Sequence, residues 1–230
     1  MLYEMLETLT NIPDKVWDVY ALRHEPLLGK LTSPLRAQLL ELAHNTGVQL
    51  AEETAREHPG MRPGEILKAL GVNVVLKPDS DEGARMMFAC YEEPNTVTVW
   101  MRTVEQAKET LSRENALPLL EGVQLQDILL AHELYHYYEY TRKDLPTSQK
   151  LLTLWKIGSF SYKSKVVTLD EVGAMAFAKE LLHLSYSPYL MDVILLYPGN
   201  QRLSKQLYDY IVSLHTQSLG QQHGQGEKPC

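Results

Sequence analysis

The chain has 230 residues, with 22 Lys and Arg against 29 Asp and Glu, a formal net charge of −7 and a pI near 5.6. That acidity argues against DNA or RNA as a direct ligand, because nucleic-acid binders present a basic face. Two cysteines, Cys90 and Cys230, are too few for a disulfide scaffold or a cysteine-rich metal site. Cys90 sits in the apolar run from Met86 to Tyr91 and is expected to be a small buried thiol. The N-terminus lacks the basic-then-apolar order of a signal peptide. The most apolar late stretch, Tyr189 to Tyr197, is interrupted by Asp192 and falls far short of the ~20 residues a spanning helix needs. A cytoplasmic protein with no membrane partner is expected.

Ser33, Pro34 and the face of Leu35, Leu39, Leu42 and Leu50 predict a capped helix running to about Glu57. A shorter helix follows Pro63 and stops at Gly71. Three extended runs come next, Val72 to Leu76, Arg85 to Tyr91 and Asn95 to Met101, the last two joined by a turn at Glu92 to Asn95. Thr103 with Gln106 predicts a capping box and another helix. Beyond Pro118 and Gly122, a helix is predicted from about Val123 to Arg142. Leu151 to Val167 reads as two short strands or an irregular segment around Gly158. Thr168 opens a helix to about Leu184, and one or two helices fill Pro188 to His215. The expected fold is α+β and mostly helical, with a small three-stranded sheet packed on a central helix. Residues 1–32 read as a helical extension, 33–185 as the principal domain, 186–216 as helices packed on it and 217–230 as a disordered tail.

His132-Glu133-Leu134-Tyr135-His136 is an H-E-x-x-H sequence within the central helix. Residues four apart lie about 40° apart on a helical wheel, so His132 and His136 project from one face. Two neutral imidazoles so placed can share Zn2+. Glu133, rotated by about 100° from His132, stands beside the ion, where it can take a proton from water. Leu125, Ile128 and Leu129 put the motif on a helix side expected to be buried, where imidazoles need partners.

A catalytic zinc takes three protein ligands and keeps one position open. Two residues compete for the third place. Glu139 lies only about 20° from His132 on the wheel, as a ligand or as an outer carboxylate. Glu171 opens the next helix, where Thr168-Leu169-Asp170-Glu171 is itself a capping box, so ligation and capping both account for it. Gly173, Ala174, Ala176 and Ala178 would let that helix approach the histidine helix closely.

These features resemble the ImmA/IrrE-type metallopeptidases. The similarity lies in Ile128-Leu129-Leu130-Ala131 leading into the histidine motif, and in the later Glu171-x-x-Ala174-x-x-Phe177-Ala178-x-x-Leu181-Leu182. It extends loosely over about Ala37 to Leu182. The resemblance implies a zincin-like fold, with His132, His136 and Glu171 as zinc ligands and Glu133 as the catalytic acid/base. It further implies an intracellular bacterial or mobile-element protease acting on a helix-turn-helix repressor. The chain departs from the family in carrying bulky Tyr135 where many members have Gly, which would narrow the substrate groove. It also lacks the usual Met-Pro after the Leu-Leu pair.

The expected function is hydrolysis of a peptide bond in a protein substrate. The alternative is a zinc-bearing antirepressor or other protein-binding module without catalysis. An oxyanion donor is sought among Tyr135, Tyr137, Tyr138, Tyr140, Tyr162 and His183, because Tyr outnumbers Phe 13 to 3. Asn95 to Met101 is a candidate edge strand for pairing with an extended substrate. Ala43-x-x-x-Gly47 is the only hint of a DNA-binding turn.

Overall fold

Small residues in two helices decide how the chain stacks. The structure, a computed structural model, describes residues 1–78, 88–148, 151–157 and 160–224. Two short helices, α1 (Leu2–Thr10) and α2 (Asp14–Ala21), precede the long α3 (Ser33–Glu57) and α4 (Pro63–Ala69). Strands β1 (Asn73–Lys77), β2 (Ala89–Glu92) and β3 (Thr96–Trp100) follow, then α5 (Met101–Arg113) and α6 (Leu125–Thr141). A hairpin of β4 (Leu151–Ile157) and β5 (Phe160–Lys165) leads into α7 (Thr168–Leu181), α8 (Leu190–Leu196) and α9 (Gln201–Gly224). The architecture is α+β and mostly helical. Among the described residues no helix is long and apolar enough to cross a membrane.

The three-stranded sheet has the order β1-β3-β2, with β1 parallel and β2 antiparallel to β3. β3 is therefore central and paired on both sides, not the candidate edge strand for pairing with a substrate. Val97, Thr98 and Val99 are accordingly buried. β2 is the edge next to α6, which packs on β2 and β3. Cys90 lies in this edge strand and is half-buried, more open than the apolar run around it suggests. Of the expected strand Arg85 to Tyr91, residues 85–87 lie outside the described residues.

Several boundaries move for local reasons. Thr32, not Ser33, occupies the cap position of α3, with Pro34 in the first turn. α5 begins at Met101, directly out of β3, so Thr103 lies inside its first turn and the expected capping box does not form. The segment 151–167 resolves into the β4–β5 hairpin, whose Gly158 lies outside the described residues. α9 continues to Gly224, into the stretch expected to be disordered, while 225–230, with Cys230, lie outside the described residues.

α7 packs against both α3 and α6. A Cβ on Gly47 would collide with the carbonyl oxygen of Gly173 and stand 2.9 Å from Ala176 Cβ and Phe177 N. The Ala43–Gly47 spacing thus serves helix contact inside the core, where Ala43 is fully buried. On the opposite side, a Cβ on Gly173 would collide with the Tyr135 ring. Tyr135 is fully buried, packs on Phe177 and pairs its hydroxyl with Thr147 Oγ1 at 3.1 Å. It fills the core beneath the histidine helix and does not narrow a groove. Overpacking against rigid backbone costs about 3 kcal/mol at its upper range. Gly47→Ala should therefore lower the thermal midpoint by roughly 6–12 °C, while Gly29→Ala, with open space around it, should change stability by no more than about 0.5 kcal/mol; paired thermal melts check both.

Candidate metal centre

α6 carries the first two site residues because its apolar face is anchored. Ile128, Leu130, Ala131, Leu134 and Tyr138 are buried along it. Near its start, Arg62 donates to Asp127 and fastens α4 to this helix. His132 and His136 then project together, with Nε2 atoms 3.0 Å apart. From α7, Glu171 Oε2 stands 3.5 Å from His132 Nε2 and Oε1 stands 3.6 Å from His136 Nε2.

Glu171 is free to do this because another carboxylate caps its helix. The buried Glu25 accepts from the backbone N–H of Thr168 at 3.1 Å and from that of Leu27 at 2.9 Å. No side-chain cap bond forms within Thr168 to Glu171. The capping-box reading of Glu171 gives way to a capping residue 143 positions before Thr168.

Glu139, the other candidate third ligand, lies behind His136. The ring Nδ1–H donates to Glu139 Oε2 at 3.2 Å, which turns Nε2 toward His132 and Glu171. Lys165 donates to Glu139 Oε1 and also contacts Asp170 Oδ2 at 2.7 Å. Burial opposes ionisation of Glu139, but the bonds from His136 and Lys165 outweigh it and hold the carboxyl at about 2. Burial pushes Asp170 up against the pull of Lys165. His132 has no such support, since its Nδ1 is buried without a partner.

Glu133 is buried, at 6% exposure. Its Oε2 accepts from the backbone N–H of Tyr91, on the outer edge of β2, at 2.7 Å. A backbone donor thus fixes the carboxylate on the sheet side of the motif. Nothing in the spacing of the chain forecast this bond, the Glu25 cap or the Lys165 link.

The donor set fits a zinc ion. Two imidazole nitrogens and a carboxylate oxygen are the donor types zinc takes; the closest approaches here are 3.0 to 3.6 Å, made through both Glu171 oxygens, and one atom from each residue lies within 4.8 Å of the others. The site also has an excess of negative charge. Burial disfavours a charged His136, yet the Glu139 hydrogen bond and the charges of Glu171 and Glu133 outweigh it and push the imidazole up to about 9. Among the described residues, His132, His136 and Glu171 are the one such group close enough to hold an ion.

Of the candidate oxyanion donors, Tyr135 and Tyr138 turn into the core. Tyr137 packs edge-on against Tyr91. Tyr140 lines a pocket of 460 Å³ beside His136, with Tyr91 and Lys143. His183 is exposed beyond the C-terminus of α7, about 18 Å along the helix from Glu171. The side chain of Tyr162 lies outside the described residues.

Comparison with protein-family models, curated proteins and solved structures finds no match to this chain. Metal analysis of the folded variants should find zinc lost from His136→Ala and Glu171→Ala. Glu139→Gln should retain the ion with affinity reduced by roughly 10–100-fold, read by chelator competition, because it removes an outer partner and not a ligand.

Proposed function

We propose that the chain is a zinc-dependent endopeptidase with a zincin-like active site. His132, His136 and Glu171 hold the ion, and Glu133 serves as general base and then general acid. The observation that carries this reading is the buried Glu133, oriented by Tyr91 N–H beside a ligand set that does not need it. A purely structural zinc site has no use for such a carboxylate. Zinc, when bound, polarises the scissile carbonyl and makes water acidic enough to lose a proton near neutral pH.

The chain's own groups account for the rest. Tyr91 N–H engages Glu133 Oε2, and Oε1 makes no hydrogen bond with the described residues, so Oε1 is the atom assigned to carry the proton. Glu133 takes the proton from water and returns it to the leaving amine. Glu139 keeps His136 in the tautomer that offers Nε2, with Lys165 and Asp170 bracing it from behind. Pockets on both sides of the histidines, beside Tyr91 and Tyr140 and beside Glu171, give a peptide room to cross the site.

The similarity to ImmA/IrrE-type enzymes in the two motifs supports a cytoplasmic protein substrate, specifically a helix-turn-helix repressor, without direct contact to nucleic acid. The second reading, a zinc-bearing antirepressor that holds its partner without cutting it, is separated by Glu133. Zinc-loaded native protein incubated with a mixed-sequence peptide library should generate new termini detectable by mass spectrometry. Glu133→Gln should keep its zinc and lose that activity by about 10²–10⁴-fold. Zinc-loaded native protein that leaves both the library and unfolded proteins intact would favour the binding module.

A further inference from the structure

The segments at the two ends of the chain, outside the stretch that carries the metal motifs, meet beside Glu171. A pocket of 380 Å³ lies there, lined by Tyr20, Arg23, Glu171, Met175, Tyr189 and Asp192 among others. Tyr20 and Arg23 come from α2 and the turn after it. Tyr189 and Asp192 come from the start of α8. Tyr20 Oη donates to Asp192 Oδ2 at 2.6 Å and ties the two segments together.

Two of the residues that line it each carry a buried donor without an acceptor. Arg23 is held from several sides. Its guanidinium lies 3.7 Å over the Tyr20 ring, its Nε donates to His24 Nε2 at 2.7 Å, and its Nη2 stands 3.9 Å from Asp192, beyond hydrogen-bond reach. Its Nη1 is buried without a partner. Tyr189 is 6% exposed, with its ring stacked on Trp17 at 6.2 Å and edge-on to Tyr20 at 5.6 Å. Its hydroxyl is likewise buried and unpaired. Buried donors without acceptors are costly to keep, and these two are fixed by packing on the wall that Glu171 shares.

We propose that this pocket is a carboxylate-binding subsite, with Arg23 and Tyr189 as its donors, so that the substrate carries a carboxylate within one or two residues of the scissile bond. The planar guanidinium and the hydroxyl match the oxygens of a carboxylate. A phosphate would bring up to two negative charges next to Asp192 and Glu171 with a single Arg to offset them. A basic side chain would leave both donors unmatched, and Asp192 already accepts from Tyr20. The carboxylate belongs either to an acidic side chain or to a free chain terminus.

The consequence for cleavage rests on the peptidase reading, but the binding itself does not, so the full-length protein is tested after its metal has been stripped. N-acetyl-glutamate amide, its glutamine isostere and N-acetyl-glycyl-glycine are titrated by calorimetry. Tryptophan fluorescence serves as a second signal, since Trp17 stacks on Tyr189. At least one of the two acids should bind the native protein, and the neutral isostere should bind at least about tenfold more weakly. The stronger acid identifies side chain or terminus as the source. Tyr189→Phe, which keeps the ring stacking, and Arg23→Gln should each weaken that acid by about tenfold or more, with Arg23→Lys in between. Equal binding of the acids and the isostere, no binding of either acid, or unchanged affinity in folded Arg23→Gln and Tyr189→Phe overturns the proposal. Failure of hydrolysis with intact carboxylate binding would count against the peptidase reading alone, and the reverse result against the subsite alone.

Discussion

The approach of α7 to its neighbours is the constraint on which the site depends. Gly47 lets the backbone of α3 touch α7 at Gly173, and Gly173 in turn leaves room for the Tyr135 ring of α6. Helices carrying ordinary side chains sit 8–10 Å apart, and a Cβ at either glycine would force the layers to separate. Glu171 lies half a turn before Gly173, so any separation there would carry its carboxylate away from the two imidazoles. Tyr135 and Gly173 thus form a size-matched pair. The bulky residue inside the histidine motif is accommodated by a missing side chain on the facing helix.

Electrostatics then explain why the arrangement suits a cation. Glu133, Glu139 and Glu171 all act on His136, and the imidazole responds by holding a proton far above its usual range. A divalent ion meets the same demand with better geometry, since it is attracted by the carboxylates and ligated by the Nε2 atoms together. The two imidazoles are not equivalent. His136 is backed by Glu139 and Lys165, whereas His132 Nδ1 has no partner. The more strongly oriented imidazole is therefore that of His136.

What could be read from the sequence divides along the distance over which each interaction acts. The pairing of His132 with His136 is a property of one helix and follows from helical periodicity alone. The helix of Glu171 was equally legible, but its role was not, because ligation and local capping predict the same residue at the same place. The carboxylate that takes the backbone N–H at the start of that helix, Glu25, is remote in sequence and carries no local signature. Alternation in Thr96–Trp100 identifies a strand without revealing that β1 and β2 flank it, since sheet order is a tertiary property. The same limit hid the Tyr91 N–H, a backbone group of the edge strand beside α6 that no side-chain motif can encode.

The end segments show how a short motif is extended into a shaped site. Helices α6 and α7 bring His132, His136 and Glu171 together beside the buried Glu133, and other segments wall one side of Glu171. Tyr20 and Asp192 close that side by bonding to each other across 172 positions of sequence, and Lys179 secures α2 to α7 through Asp14 at 2.7 Å. Because α2 and α8 are held to each other, and α2 to the helix that bears Glu171, the placement of Arg23 and Tyr189 is coupled to that of Glu171. A change in how α2 and α8 pack would therefore move Arg23 and Tyr189 relative to Glu171 even with the two histidines left in place on α6.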